Sequence, residues 1–202
     1  MRNKLKLLDL FCGAGGASMG YYKAGFEVIG VDIKPQPHYP FEFHKADAFE
    51  YPLSGFDVIH ASPPCQHYSS MTNIHKNSHK HPDLIGPIRE RLQKAKTPFV
   101  IENVIGACLS EPMLLCGTMF DLRIPKHRLF ECSLAIWTLT MSCNHRDVYD
   151  PYHGGEMARG EREKLARVIG IDWFMTRPEV REAIPPVFTE YIGKRIIDII
   201  QG

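Results

Sequence analysis

Apolar residues fall along this chain in short blocks separated by glycines, prolines and mixed charged stretches. Leu5 to Phe11 is the first block, interrupted only by Asp9, and it runs into Cys12-Gly13-Ala14-Gly15-Gly16-Ala17-Ser18 ahead of a helical pattern through Ala24. That order predicts a strand, a glycine turn and a helix. Phe26 to Val31 forms a second apolar block ending at Asp32, with prolines following at 35, 37 and 40. Phe56 to Ala61 makes a third, and Pro98 to Ile101, ending at Glu102, a fourth. Between these last two, Leu84, Ile85, Ile88 and Leu92 recur at helical spacing with Arg and Lys opposite them, the signature of a crossover helix. Buried strands alternating with helices predict an α/β sandwich around a largely parallel sheet. Gly117 to Phe130 reads as turns and a closing strand, and residues 133–162 are irregular. Ile192, Ile196, Ile199 and Ile200 then stripe a C-terminal helix that begins after Pro185-Pro186, where proline suits a first turn.

The 202 residues are enough for one well-packed domain with a small appendage. Twenty-four Lys and Arg stand against 23 Asp and Glu, a net charge of +1 with the signs mixed, so any site for a polyanion must be a local patch. The cysteines at 12, 65, 108, 116, 132 and 143 form no evenly spaced framework, which points to a reducing cytoplasm. Met1-Arg2-Asn3-Lys4 before a leucine-rich stretch resembles a secretory leader, but Asp9 and the glycines cut the apolar region short, so no leader is expected. No stretch approaches the roughly 20 apolar residues of a membrane span.

Ser62-Pro63-Pro64-Cys65-Gln66 places a thiol on a stiff double-proline turn directly after the third strand. Each proline fixes its own φ and restricts the residue before it, so Cys65 is held in one direction at the end of a parallel sheet where such folds bind ligands. A lone cysteine is more often an inert buried thiol. Its neighbours along the chain change that balance. The glycine turn offers backbone N–H groups at a helix N-terminus, and its spacing lacks the full dinucleotide fingerprint, which disfavours a nicotinamide cofactor. Asp32, at the end of the second strand, stands where a ribose diol is held in such folds, and Asp47 would follow a further short strand and could read an adenine amino group. Taken singly, each is as readily a turn cap; in this order they point to one nucleoside-bearing cofactor.

Asp9-Leu10-Phe11-Cys12-Gly13-Ala14-Gly15-Gly16, Pro63-Pro64-Cys65-Gln66 and Glu102-Asn103-Val104, in that order, closely resemble the cytosine-5 DNA methyltransferase family. The resemblance covers residues 5–130 and resumes more loosely at 164–197. It implies the S-adenosylmethionine-dependent methyltransferase (Rossmann-like) fold, a three-layer α/β sandwich with a mostly parallel twisted sheet. It also implies a cytoplasmic monomer that methylates C5 of a cytosine flipped out of double-stranded DNA. On that resemblance Cys65 is the nucleophile for C6, Glu102 the partner of N3 and the exocyclic amine, and Arg128 the group that holds O2. Asp9, Phe11, Gly13, Gly15, Asp32, Ile33, Asp47, Ala48, Pro64 and Glu182 would line the S-adenosylmethionine site. Gln66, Ser69, Lys76, Lys80 and Lys126 would contact nucleic acid, most of them on the polar, cationic loop after Cys65.

Three departures from the family pattern bear on specificity. The Gln-x-Arg-x-Arg motif becomes Ile124-x-Lys126-x-Arg128; Arg181 and Glu182 stand where Gly-Asn is usual; and residues 133–163 replace a sizeable target-recognition domain. The expected layout is a catalytic core at 1–132, a reduced recognition insert at 133–163, and C-terminal motifs with a helix at 164–202. So small an insert predicts relaxed or very short sequence specificity, as would suit a phage or mobile-element enzyme protecting its DNA from restriction nucleases. Cys132, Cys143, His145 and His153 raise a zinc reading, but their spacing matches no standard pattern and no metal is expected. An RNA cytosine-5 methyltransferase and a non-catalytic DNA-binding or accessory subunit of the same fold are the alternatives.

Overall fold

A computed structural model describes residues 4–64, 82–136, 142–149 and 161–202. Seven strands form one sheet: β1 (Lys6–Leu10), β2 (Glu27–Asp32), β3 (Glu42–Lys45), β4 (Val58–Ala61), β5 (Phe99–Asn103), β6 (Met113–Cys116) and β7 (His127–Cys132), in the spatial order β3-β2-β1-β4-β5-β7-β6. β1 to β5 pair in parallel, and β7 inserts antiparallel between β5 and β6. The helices are α1 (Gly16–Ala24), α2 (Ile85–Ala95), α3 (Glu161–Val168), α4 (Arg177–Glu182) and α5 (Pro186–Gln201). Among the described residues no helix is long and apolar enough to cross a membrane.

The central strands read as continuous apolar runs because both their faces are covered. On one face Leu7, Val28, Val58, Val100 and Phe130 pack against Tyr21 of α1 and Phe188, Ile192 and Ile196 of α5. On the other, Leu8, Leu10, Val31, Ile59, Ala61 and Ile101 meet Ile88 and Leu92 of α2. The expected α/β sandwich is therefore present; β1 and β4 are shorter than the apolar blocks that announce them, β2 is shifted by one residue, and β5 runs on through Glu102 to Asn103. β6 lay inside a stretch that gave no clear periodic signal. α3 and α4 carry only one buried residue each, Leu165 and Val180, too little to announce an amphipathic face.

Two contacts lock the layers together. Arg89 on α2 makes a forked pair with Glu131 on β7, at 2.8 and 2.7 Å, and Glu131 also accepts the Ser110 amide at 2.8 Å. Across the sheet, α1 and α5 approach so closely that a Cβ at Gly20 would lie 2.0 Å from the Pro186 carbonyl oxygen and 2.0 Å from Thr189 Oγ1. Thr189, fully buried, donates its hydroxyl to the Ala17 carbonyl at 2.8 Å. Both neighbours are rigid, so Gly20→Ala must separate the helices. Overpacking of this kind costs about 2–3 kcal/mol. Urea unfolding should show that loss with an unchanged m-value, and a midpoint equal to wild type would contradict the packing.

His60, in the middle of β4, has no exposed surface. Its Nδ1 lies 3.0 Å from the Tyr21 hydroxyl and its Nε2 2.8 Å from Ser62 Oγ. Burial pushes the imidazole down to about 3 from its ordinary value near 6.5, so it is neutral in the folded protein. An unfolded chain binds a proton at this histidine as pH falls through 6.5, whereas the native chain does not until about 3. The stability tied to neutral His60 is thus fully present above pH 6.5 and lost as pH drops toward 3. Urea titrations between pH 6.5 and 4 should give a shallower loss for His60→Asn than for wild type, by up to about 1.4 kcal/mol per pH unit. Parallel slopes for the two proteins would refute the assignment.

Candidate active site

The C-terminal ends of β1, β2, β4 and β5 converge at one edge of the sheet, where open parallel sheets bind ligands. Phe11 leaves β1 with φ +60°, and Gly13 and Gly15 continue the left-handed path at +49° and +89°. This turn aims the chain into α1. The Gly13 amide donates to Asp32 Oδ2 at 3.2 Å, while Asp32 Oδ1 accepts from Lys34 N at 2.9 Å. A Cβ at Gly13 would meet nothing within 4 Å, so open space lies over the turn. Ile33, directly after Asp32, is 61% exposed. Asp47, exposed after β3, accepts the Phe49 amide at 2.8 Å, and the Phe49 ring stands edge-on to Phe11 at 6.2 Å.

Phe11, Gly13, Asp32, Ile33 and Asp47 thus line one lane along the strand ends. Each carboxylate keeps acceptor capacity beyond the amides that orient it, and the side chain of Ile33, which follows Asp32, is exposed. That donor and acceptor set fits a nucleoside. Three residues expected in the same lane are behind it. Asp9 is fully buried under α1, where it accepts the Ser18 hydroxyl, and Ser18 Oγ in turn lies 2.7 Å from the Tyr39 hydroxyl. Burial raises the Asp9 carboxyl to about 7, opposed by the Ser18 bond. Gly15 faces Tyr39 and Pro40, with Pro40 Cδ only 2.7 Å from where a Cβ would sit. The Ala48 methyl group belongs to the core beneath α2. All three support the lane without offering side-chain surface to it.

The C-terminal segment braces the glycine turn from outside. Trp173 Nε1 donates to the Ala14 carbonyl at 3.1 Å, and Gly16 packs against the Ile184 backbone so closely that a Cβ would lie 2.5 Å from its carbonyl oxygen. Glu182 ends α4 as an exposed residue. Its charge supports the Lys126 ammonium, which donates to the Arg181 carbonyl at 2.9 Å. Burial and the adjacent Arg128 nevertheless push Lys126 well below the usual lysine range, with Glu102 and Glu182 opposing.

Glu102 and Arg128 meet at the next strand end. Arg128 Nε lies 2.9 Å from Glu102 Oε1, with side chains 15% and 7% exposed. Burial raises the Glu102 carboxyl above its ordinary value, countered by Arg128, by a hydrogen bond from Ser62 and by Lys126. Ser62 therefore joins Glu102 to His60 and, through it, to Tyr21. Asn103, 1% exposed, donates to the Pro63 carbonyl at 2.9 Å and pins the turn that leads to Cys65. Pro64 is exposed. Cys65, Gln66, Ser69, Lys76 and Lys80 lie outside the described residues.

Sequence reasoning did not single out His60, Ser62 or Asn103 as site residues. One signal was available: a histidine inside a strand covered on both faces must have partners. The cysteine and histidine grouping also differs from expectation. Cys143 and His145 converge with Cys116 and His127, not with Cys132, and His153 lies outside the described residues.

Residues 5–111 match the C-5 cytosine-specific DNA methylase family, which is more than half of the chain. Type II methyltransferase M.HgiGI of Herpetosiphon aurantiacus is 31% identical over 80 residues, covering 33% of this chain and 64% of that protein. M.AgeI of Thalassovita gelatinovora is 27% identical over 124 residues, covering 50% of this chain and 28% of the relative. The chain thus spans less than two thirds of either relative. Among solved structures, Entamoeba histolytica methyltransferase EhMeth superposes with a TM-score of 0.68 at 9% identity, over 100% of both chains. S. pombe Dnmt2 methyltransferase gives 0.65 at 11% identity, over 99% of this chain and 100% of that one. These distant structures share the fold, and the family match spans the glycine turn, Pro63-Pro64-Cys65 and Glu102. The chain belongs to the C-5 cytosine-specific DNA methylase family.

Proposed function

We propose that this protein transfers a methyl group from S-adenosylmethionine to C5 of a cytosine flipped out of DNA, through a covalent adduct at Cys65. The observation that carries the reading is the buried Glu102–Arg128 pair at 2.9 Å, on the strand whose Asn103 holds the Pro63 carbonyl two residues before Cys65. A cytosine ring set against that pair finds a carboxyl group for N3 and the exocyclic amine and a guanidinium for O2. Phe11, Gly13, Asp32, Ile33, Asp47 and Pro64 would hold the donor, with Asp32 on the ribose and Asp47 on the adenine amine. Glu182 stands at the edge of the same region.

The Cys65 thiolate adds to C6, and the ring electrons move toward C5 and N3. Glu102, protonated more readily than an exposed glutamate because of its burial, supplies a proton at N3 and neutralises the developing charge. Arg128 steadies the negative charge at O2. S-adenosylmethionine, when bound, supplies an electrophilic methyl group for C5. Loss of the C5 proton to a base, departure of the thiolate and return of the N3 proton to Glu102 then restore the neutral aromatic ring. The neutral His60 and Ser62 keep the Glu102 carboxyl oriented without adding a competing charge. With only residues 133–163 in place of a recognition domain, we read the target sequence as short.

Fluorine at C5 cannot leave as a proton would, so a 5-fluorocytosine substrate should trap the adduct. Incubation of the protein with 5-fluorocytosine DNA and S-adenosylmethionine should give a covalent complex on denaturing gels that Cys65→Ala abolishes. Adduct with RNA alone would redirect the reading to RNA, and none with either nucleic acid would sink it. Glu102→Gln should lower kcat about 10²- to 10⁴-fold. A change confined to KM would remove Glu102 from the chemistry.

A further inference from the structure

Cys116 ends β6 and His127 opens β7, and the antiparallel register sets them directly opposite each other. The segment 142–149 folds back over this hairpin end. The Asn144 amide donates to Thr118 Oγ1 at 3.2 Å, the Tyr149 amide to the Arg123 carbonyl at 2.5 Å, and Arg123 to the Asp147 carbonyl at 3.3 Å. The fold-back brings Cys143 and His145, which flank Asn144, up to the cross-strand pair. One ligand-type atom from each of the four residues lies within 4.8 Å of every other. Cys116 Sγ and His145 Nε2 are 3.4 Å apart, and the His127 and His145 rings stand edge to face at 5.0 Å. Cys116 is buried, His127 and Cys143 are half-buried and His145 is exposed, so the cluster opens to solvent on one side.

We propose that Cys116, His127, Cys143 and His145 form a structural zinc site. Zn–S bonds of 2.3 Å and Zn–N bonds of 2.0–2.1 Å in a tetrahedron place ligand atoms about 3.3–3.8 Å apart. The 3.4 Å between Sγ and Nε2 already falls in that range, and a contraction of about 1 Å brings in the widest separations. Two soft sulfurs and two imidazoles suit Zn²⁺ over the hard cations, which take oxygen ligands. All four positions come from the protein, which leaves no open coordination site and assigns a structural role. As each Zn–S bond forms, the thiol releases its proton to solvent, so both sulfurs bind as thiolates. Thr118 Oγ1, 3.2 Å from Cys116 Sγ and holding the Asn144 amide, would orient both halves of the site from outside the metal.

A metal here answers a need of the chain. Residues 133–163 are too few to bury a core of their own, and small segments of that kind are commonly stapled. Zinc would tie the insert to the edge of the sheet and fix β7 at His127, one residue from Arg128.

The test is metal analysis of the full-length protein purified under reducing conditions. Wild type should carry about one zinc per chain, held against a mild chelator and released on thiol modification. Cys143→Ala and His145→Ala, both outside the sheet, should lower zinc to about a tenth or less, whereas Cys132→Ala and His153→Ala should retain it. Cobalt(II) bound in place of zinc should show tetrahedral d–d bands with a thiolate charge-transfer band, and Cys116→Ser should alter that spectrum. Metal-free wild type that binds neither zinc nor cobalt would overturn the proposal. So would a Cys116–Cys143 disulfide in protein kept reduced, or full zinc content in His145→Ala.

Discussion

A carboxylate at the buried end of a strand cannot stand without a partner, and Glu102 governs how this site is built. Leaving such a charge unpaired costs about 3–5 kcal/mol. The partner is Arg128, delivered by β7 because that strand runs antiparallel beside β5. Had β7 run parallel like the others, its C-terminal residues would reach this edge of the sheet in place of Lys126, His127 and Arg128. The reversed last strand is therefore what brings a guanidinium to a carboxylate at the ligand-binding edge.

Strand alternation then places the remaining groups. Asp9 pairs with His60 in register across β1 and β4, His60 with Val100 across β4 and β5, and Glu102 lies two residues beyond Val100 on the same face. Asp9, His60, Glu102 and Arg128 consequently occupy the α1–α5 side of the sheet, in the layer that also holds Leu7, Val58, Val100 and Phe130. Polar groups in such a layer must satisfy one another. Ser18 serves Asp9, Tyr21 and Ser62 serve His60, and Ser62 with Arg128 serves Glu102. α1 supplies two of these partners, and the glycine contact at Gly20 lets α5 close over it. Glycine turn, strand ends and C-terminal helix are in this sense one packing problem.

Much of this was legible in the sequence, since the turn chemistry lies in adjacent residues. Gly13, Asp32, Asp47, Glu102 and Arg128 stand at strand ends because apolar blocks announce where strands stop. Asp9, Gly15 and Ala48 were harder, because a motif gives their order along the chain and not the face they turn to. His60 was hidden by the apolar block around it. Cys132 was grouped with Cys143 by proximity in sequence, yet β7 carries Cys132 to its far end, opposite Val100. Cys116 and His127 become neighbours only through the register of an antiparallel pair, and β6 gave no readable pattern.

That register also separates two tasks within three consecutive residues. Lys126 and Arg128 belong to the side of the strand edge that carries Glu102, and His127, between them, points to the opposite face, where Cys116 and His145 lie. A ligand bond at His127 would leave the guanidinium untouched yet limit how far its backbone can shift. Arg128 donates to the His127 carbonyl at 2.9 Å, so the residue beside the insert also helps set the pose of the one that pairs with Glu102. Order in the insert and geometry at Glu102 are thus joined through one strand.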